Sequence, residues 1–137
     1  MSGGASGALN GTLTLMIGAN EHNLKTAKNI LKAISSNIFY YGSVGNGHLI
    51  KLLHNSVCHG IFMMMCEVGN LGEESGISIK DLISTFNCSN ARSYISEERF
   101  PNHIISGKYD GQSIIKNLQK DLRPYYHLCL CPFQHSC

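Results

Sequence analysis

The sequence has little net charge, no basic cluster and no long apolar run, and each absence excludes a class of protein. Its 137 residues carry a formal net charge of +2 with scattered lysines, and because phosphate neutralisation dominates nucleic-acid binding, we expect no nucleic-acid partner. The longest apolar run, "GIFMMMC", is far shorter than the roughly 20 residues that span a bilayer. The N-terminus has no charged segment followed by a hydrophobic one. We therefore expect no membrane partner and a cytoplasmic location.

The composition is that of a globular chain with free thiols. With 43% hydrophobic residues and the length of one ordinary domain, the chain can bury a core. Nothing in the sequence directs it to an oxidising compartment, so the six cysteines are expected to be reduced rather than joined in disulfides.

The tail of residues 123–137 is atypical and combines thiols with imidazoles. These side chains are His127, Cys129, Cys131, His135 and Cys137. Their C-x-C spacing differs from the paired C-x-x-C of structural zinc sites, so we expect no metal. Pro124 and Pro132 are expected to prevent a helix, which favours a frayed or foreign tail.

The first third of the chain has a strand-helix-strand pattern. Residues 11–18 alternate threonine with leucine and methionine between glycines, which predicts a short strand. The stretch "NEHNLKTAKNILKAISS" has apolar side chains at helical spacing, with Asn20 available as an N-cap, and predicts a helix. These apolar residues are Leu24, Ala27, Ile30, Leu31 and Ile34. The following "NIFYYG" predicts a second strand. Such a sheet is too small to be stable alone, so we expect further structure at its edge.

The rest of the chain is predicted to be helical. Residues 47–74 are apolar on almost every side, which predicts one long central helix. Shorter helices are predicted at 78–86 with Ser78 as cap, at 90–99 and at 111–122. The last of these should bury Ile114, Ile115, Leu118 and Leu122.

Two features at the start of the long helix suggest chemistry. Gly45 and Gly47 form G-x-G, but Ile50 replaces the third glycine of a dinucleotide fingerprint, so a sharp turn into the helix is the better interpretation. A polar stripe then follows at helical spacing: His48, Lys51, His54, Asn55 and Cys58. A lysine in an apolar cleft has its charged form disfavoured and could move a proton. A snorkelling lysine and a satisfied buried amide remain the alternative.

Three motifs in order resemble those of the β-hydroxyacid dehydrogenase family. They are "SGGASGALNGTLTLMIG", "GNGHLIKLLHN" and "QKDL", and the resemblance extends over roughly residues 2 to 122. The family includes 3-hydroxyisobutyrate dehydrogenase, tartronate semialdehyde reductase and 6-phosphogluconate dehydrogenase. The resemblance implies NAD or NADP as cofactor, a small hydroxy acid as substrate, and a homo-oligomer formed through the helical domain.

The resemblance also implies roles for individual residues. Lys51 matches the family's general acid/base, and Lys120 matches a lysine near the cofactor. Substrate binding is implied for Ser2, Gly3, Gly4, His54 and Asn55, of which the first three form a carboxylate-binding turn.

Two departures from the family pattern qualify the resemblance. The pair His54 and Asn55 is typical of 6-phosphogluconate dehydrogenase, but Cys58 stands where that enzyme has a second acid, so decarboxylation is not expected. The chain also lacks the family's G-x-G-x-x-G segment. Residues 1–42 would then be the end of a nucleotide-binding domain and 43–122 the helical catalytic and dimerisation domain.

The expected fold is mainly α, with a short strand-helix-strand remnant of a Rossmann sheet followed by the helical domain. The expected function is that of a fragment of an NAD(P)-dependent 3-hydroxyacid dehydrogenase that is inactive alone. The alternative is a non-catalytic helical interaction module or a degraded paralogue.

Overall fold

The computed structural model describes residues 1–111 and 115–130. The elements in chain order are α1 Gly4–Leu9, β1 Thr14–Ile17, α2 Glu21–Ile34, β2 Asn37–Tyr40, α3 Asn46–Glu74, α4 Ile79–Asn87, a π-helix Ile95–Ile105 and α5 Ile115–Leu130. The fold is mainly α with one long central helix, as the sequence predicted. The chain forms two compact units, Met1–Asn55 and Ser56–Cys137, so α3 contributes to both.

The first unit contains the predicted strand-helix-strand segment. Strands β1 and β2 pair in parallel, from Thr14 opposite Asn37 to Ile17 opposite Tyr40. Asn20 caps α2, since its side chain accepts a hydrogen bond from the backbone N–H of Asn23 at 2.8 Å. The periodicity and the cap therefore predicted the right elements.

Helix α1 was not predicted. It consists mainly of glycine, serine and alanine, and the glycines lower helix propensity, so the local sequence gives no helical signal. Packing explains the helix instead, because Gly7 is buried and a Cβ there would lie 3.3 Å from the side chain of Leu13. Leu13 is itself 7% exposed, so close packing of α1 against the chain leading into β1 decides this segment.

The second unit has an apolar core of its own. Its buried residues are Met65, Ile83, Ile95 and Phe100. Phe100 is fully buried, and its ring centroid lies 5.8 Å from that of Phe62 in a tilted arrangement. Helix α4 begins where predicted, with the Ser78 side chain accepting from the backbone N–H of Asp81.

The helix predicted at 90–99 was placed too early. Ser93 and Ser96 bond to each other's backbone amides, at 2.8 Å and 3.2 Å, and this local turn delays the helix. The helix then runs as a π-helix from Ile95 to Ile105 and includes Pro101. Proline cannot donate a backbone hydrogen bond, and this accounts for an irregular helix around Pro101.

The expectation that Pro124 prevents a helix was wrong. Helix α5 continues through Pro124 to Leu130. Proline removes one hydrogen bond, but its fixed φ near −65° is a helical value, so a helix can continue through it with a kink. Of the expected buried face, Leu122 is partly buried, whereas the side chains of Ile114, Ile115 and Leu118 lie outside the described residues.

The cysteine and histidine cluster of the tail also lies largely outside the described part. Residues 131–137 are not described, nor are the side chains of His127 and Cys129. Within residues 1–111 and 115–130, no three potential ligand side chains form a metal site. Three cysteines in the described part, Cys58, Cys66 and Cys88, form no disulfide.

Much of the apolar surface of α3 is accessible. Its exposed large side chains are Leu49, Leu53, Val57, Met63, Met64 and Leu71, each 41% to 63% exposed. By length and composition alone, α3 could cross a membrane, which the short apolar run "GIFMMMC" did not suggest. A core helix of a globular protein meets the same criteria, so this property is weak evidence for a membrane.

Candidate active site

The start of α3 packs directly against the end of β1 through two glycines. A Cβ on Gly47 would lie 2.4 Å from the carbonyl oxygen of Met16 and 2.9 Å from the backbone nitrogen of Gly18. A Cβ on Gly18 would lie 2.5 Å from the carbonyl oxygen of Ser43. Only glycine allows this approach of backbone to backbone. It fixes α3 against the strand one turn before Lys51.

The turn at Ser2, Gly3 and Gly4 is held against the strand segment that follows it. The backbone of Ser2 exchanges two hydrogen bonds with Thr14, at 2.9 Å and 2.8 Å. Gly3 has φ 124° and Gly4 has φ 59°, both in the region that favours glycine. The predicted S-G-G turn is therefore a turn that requires two consecutive glycines.

The polar stripe of α3 contacts this turn through His54. The Oγ of Ser2 lies 3.4 Å from Nε2 of His54, and Nδ1 of His54 lies 3.1 Å from Oδ1 of Asn55. An amide oxygen can only accept, so Nδ1–H donates to Asn55, and in the neutral ring Nε2 then accepts from the Ser2 hydroxyl. The hydrogen bonds between Ser2, His54 and Asn55 thus join two segments that are 52 residues apart in sequence.

Lys51 lies close to the same turn. The pKa of the Met1 amino group is lowered, first by its partial burial and second by the positive charge of Lys51. Lys51 is partly buried and stands one helical turn before Asn55, so the two side chains share a face of α3. Ser2, His54 and Asn55 are therefore linked by contacts within the first unit, and Lys51 lies on the same face of α3 as Asn55.

Three other predicted polar residues differ in their exposure and in the unit that contains them. His48 is exposed at the start of α3, and Cys58 is partly buried in the second unit. Lys120 is exposed on α5, also in the second unit. Its role toward the cofactor stays a prediction, as do the roles given to Lys51, Ser2, Gly3, Gly4, His54 and Asn55.

Sequence reasoning did not find the contact between Ser2 and His54 or the glycine packing at the end of β1. The contact depends on a pairing across 52 residues, for which no local pattern exists. The glycine packing did have a signal, because "GNG" follows a strand, but it was interpreted only as a sharp turn.

Comparison with known sequences decides the family. The family described as NAD-binding of NADP-dependent 3-hydroxyisobutyrate dehydrogenase matches residues 45–129, which is more than half of the chain. The chain belongs to the β-hydroxyacid dehydrogenase family. Residues 1–42 match a second family, described as the NAD binding domain of 6-phosphogluconate dehydrogenase. The two matches together cover most of this β-hydroxyacid dehydrogenase chain, from residue 1 to residue 42 and from residue 45 to residue 129.

Individual relatives agree with this assignment. A probable mitochondrial 3-hydroxyisobutyrate dehydrogenase of Dictyostelium discoideum is 40% identical over 97 residues, 71% of this chain and 30% of its own length. A 2-(hydroxymethyl)glutarate dehydrogenase of Eubacterium barkeri is 30% identical over 122 residues, 89% of this chain and 40% of its own length. The chain therefore spans well under half the length of these relatives.

Solved structures of the family have the same fold. The 3-hydroxyisobutyrate dehydrogenase of Salmonella typhimurium matches with a TM-score of 0.79 and 26% identity, over 88% of this chain and 42% of that one. The enzyme of Mycobacterium tuberculosis, solved with L-serine, matches with a TM-score of 0.67 and 27% identity, over 73% of this chain and 34% of that one.

Proposed function

We propose that this chain supplies the substrate-binding and proton-transfer part of an NAD(P)-dependent 3-hydroxyacid dehydrogenase. The observation that carries the proposal is the contact of Ser2 with His54, which joins the S-G-G turn to the face of α3 that bears Lys51 and Asn55. Family membership supports a dehydrogenase of hydroxy acids, and this arrangement supports the assignment of residues within it.

Lys51 is the proposed general acid/base. During oxidation of the alcohol its Nζ takes the proton of the substrate hydroxyl, and in the reverse direction it returns that proton to the carbonyl oxygen. Asn55, one turn further along α3, offers a carboxamide that can orient the substrate hydroxyl. His54 holds the oxygen of that carboxamide, so the amide group faces the site in one fixed orientation.

The turn of Ser2, Gly3 and Gly4 is the proposed carboxylate site. Backbone N–H groups at turns with left-handed residues make concave anion sites, and this turn has two such residues in succession. The Ser2 hydroxyl bonds to His54, so the carboxylate site and the proton-transfer site are coupled.

The nicotinamide cofactor fits this chain only in part. NAD or NADP, when bound, supplies the acceptor of the substrate's hydride. The 137 residues contain no G-x-G-x-x-G turn, so they do not provide the usual cradle for its pyrophosphate. Lys120 is the proposed contact to the cofactor from this chain.

A chimera tests the proposal. Residues 1–122 would replace the matching segment of the Dictyostelium discoideum relative, with 3-hydroxyisobutyrate-dependent NADH formation as the assay. Lys51→Ala should lower kcat by about 10²- to 10⁴-fold, the usual contribution of a general acid/base, with cofactor affinity unchanged. Lys80→Ala, an exposed lysine of α4, is the matched control. Turnover retained by Lys51→Ala would refute the acid/base role.

The accessible apolar side chains of α3 favour a second candidate, a non-catalytic interaction module. A second copy of the helical domain is the partner that the first proposal expects, as part of a homo-oligomer. The activity of the chimera distinguishes the candidates: the interaction module predicts a chimera that fails to turn over, whereas the dehydrogenase predicts an active one. We expect the isolated chain to be inactive in either case.

A further inference from the structure

A cavity in the first unit, separate from the residues of the candidate active site, has an apolar lining and a cationic rim. It lies between α2 and β2 and has a volume of about 820 Å³, within the usual size range of small-molecule sites. Leu24 and Leu31 of α2 and Ile38 of β2 form its apolar lining. All three are only partly buried, and α2 has no fully buried residue, so this lining remains accessible.

The rim of the cavity is strongly basic. Lys25, Lys28 and Lys32 line it, at a spacing that places them along one face of α2. Glu21 is the one acidic residue in the lining. Among residues 1–111 and 115–130, none of these three lysines takes part in an ion pair. Their charges are therefore available to a ligand.

The uncharged polar groups of the lining are largely committed to the fold. The Tyr40 hydroxyl donates to the carbonyl oxygen of Ala19 at 2.8 Å. The Ser35 hydroxyl donates to the carbonyl oxygen of Leu13 and accepts from the backbone N–H of Asn37. A neutral polar ligand would find few partners, whereas an apolar chain with an anionic head would match both the lining and the rim.

We propose that this cavity binds an amphipathic anion, with its apolar body against Leu24, Leu31 and Ile38 and its carboxylate head on Lys28 and Lys32. This inference goes beyond the proposed dehydrogenase function and does not depend on it. Nucleic acid is disfavoured as the occupant because most of the lining between the lysines is apolar, and phosphate backbones require continuous polar contact.

The test is a calorimetric titration of the full 137-residue chain with dodecanoate, below its micelle concentration. We expect saturable binding of one dodecanoate per chain, with an affinity that falls as the fatty acid is shortened to butyrate. The double variant Lys28→Gln, Lys32→Gln should bind at least about tenfold more weakly. Lys80→Gln, on α4, is the matched control and should bind as the unchanged protein does.

Three further probes test the charge and the location of the bound anion. Dodecyltrimethylammonium, which has the same alkyl chain and the opposite charge, should bind much more weakly, and inorganic phosphate should not compete. Lys51→Ala should leave dodecanoate binding unchanged, which separates the cavity from the proposed substrate site. Equal binding of the cationic amphiphile, competition by phosphate, loss of binding in Lys51→Ala, or undiminished binding in the double variant would each overturn the proposal.

Discussion

Gly47 controls how α3 meets the end of β1, and replacing it with alanine should displace the face of α3 that bears Lys51 and Asn55. The added Cβ would lie 2.4 Å from the carbonyl oxygen of Met16 and 2.9 Å from the backbone nitrogen of Gly18. Both contacts are with backbone atoms, so no side chain can rotate away to relieve them. Either β1 or the first turn of α3 must move.

The size of the effect follows from these distances. Non-bonded atoms of this size pack at about 3.5 Å, so the backbone must separate by roughly 1 Å. Overpacking of this kind costs about 1–3 kcal/mol, and the rigid backbone contacts of Gly47→Ala put it at the upper end, about 3 kcal/mol. For a chain of this size, that loss lowers Tm by roughly 10 °C.

Gly60→Ala is a matched control on the same helix. A Cβ at Gly60 meets no atom within 4 Å, and alanine is the better helix former by about 1 kcal/mol, so this variant should unfold at a slightly higher temperature. Thermal unfolding followed by far-UV circular dichroism measures both variants. A Gly47→Ala protein as stable as the unchanged chain, or a Gly60→Ala protein destabilised to the same degree as Gly47→Ala, would refute the packing argument.

Three further predictions concern the second unit. Phe100→Ala removes a fully buried ring and should lower the free energy of unfolding, measured in urea, by about 3–5 kcal/mol. Phe100→Leu leaves a smaller void and should lower it clearly less. Equal losses would contradict the argument that the void left by the ring sets the cost. Burial, and secondarily a neighbouring glutamate, raises the pKa of the Cys66 thiol, so less of it is in the reactive thiolate form. Iodoacetamide at pH 8 should therefore modify the exposed Cys88 before Cys66, and mass spectrometry of the peptides measures the order. Hydrogen bonding from His103 holds the pKa of Asp110 below its ordinary 3.8, so this pair stabilises the folded state above pH 3.8 and is lost as the pH falls through the folded value. A carboxyl NMR titration of Asp110 should move toward 3.8 in His103→Gln, and an unchanged midpoint would contradict that cause.

The elements that the sequence predicted correctly are those with local causes. Helix α2 begins after the Asn20 cap, and α4 begins after Ser78, because each cap acts within three residues of itself. The two helical segments that the sequence did not predict depend on causes that a local pattern does not show. Packing against Leu13 makes a helix of the glycine-rich α1, and the helical φ of proline lets α5 continue through Pro124.

In the candidate site, too, the sequence predicted the local arrangement and not the long-range contact. The spacing along α3 placed Lys51, His54 and Asn55 on one face, since helical periodicity is a local property. The contact between His54 and Ser2 could not be predicted in this way, because it requires the start of the chain to return beside α3. The resemblance to the family grouped these residues, and the structure supplies the contact that joins them.

That contact gives a physical reason for an imidazole at position 54. The two ring nitrogens point in different directions, so His54 can accept from the Ser2 hydroxyl at 3.4 Å and donate to the Asn55 carboxamide at 3.1 Å at the same time. The S-G-G turn and the polar face of α3 are therefore held together by this chain's own side chains. A carboxylate that accepted the hydrogen bond of the Ser2 hydroxyl would take that donor away from Nε2, and the change would reach the hydrogen bond to Asn55 through the same ring.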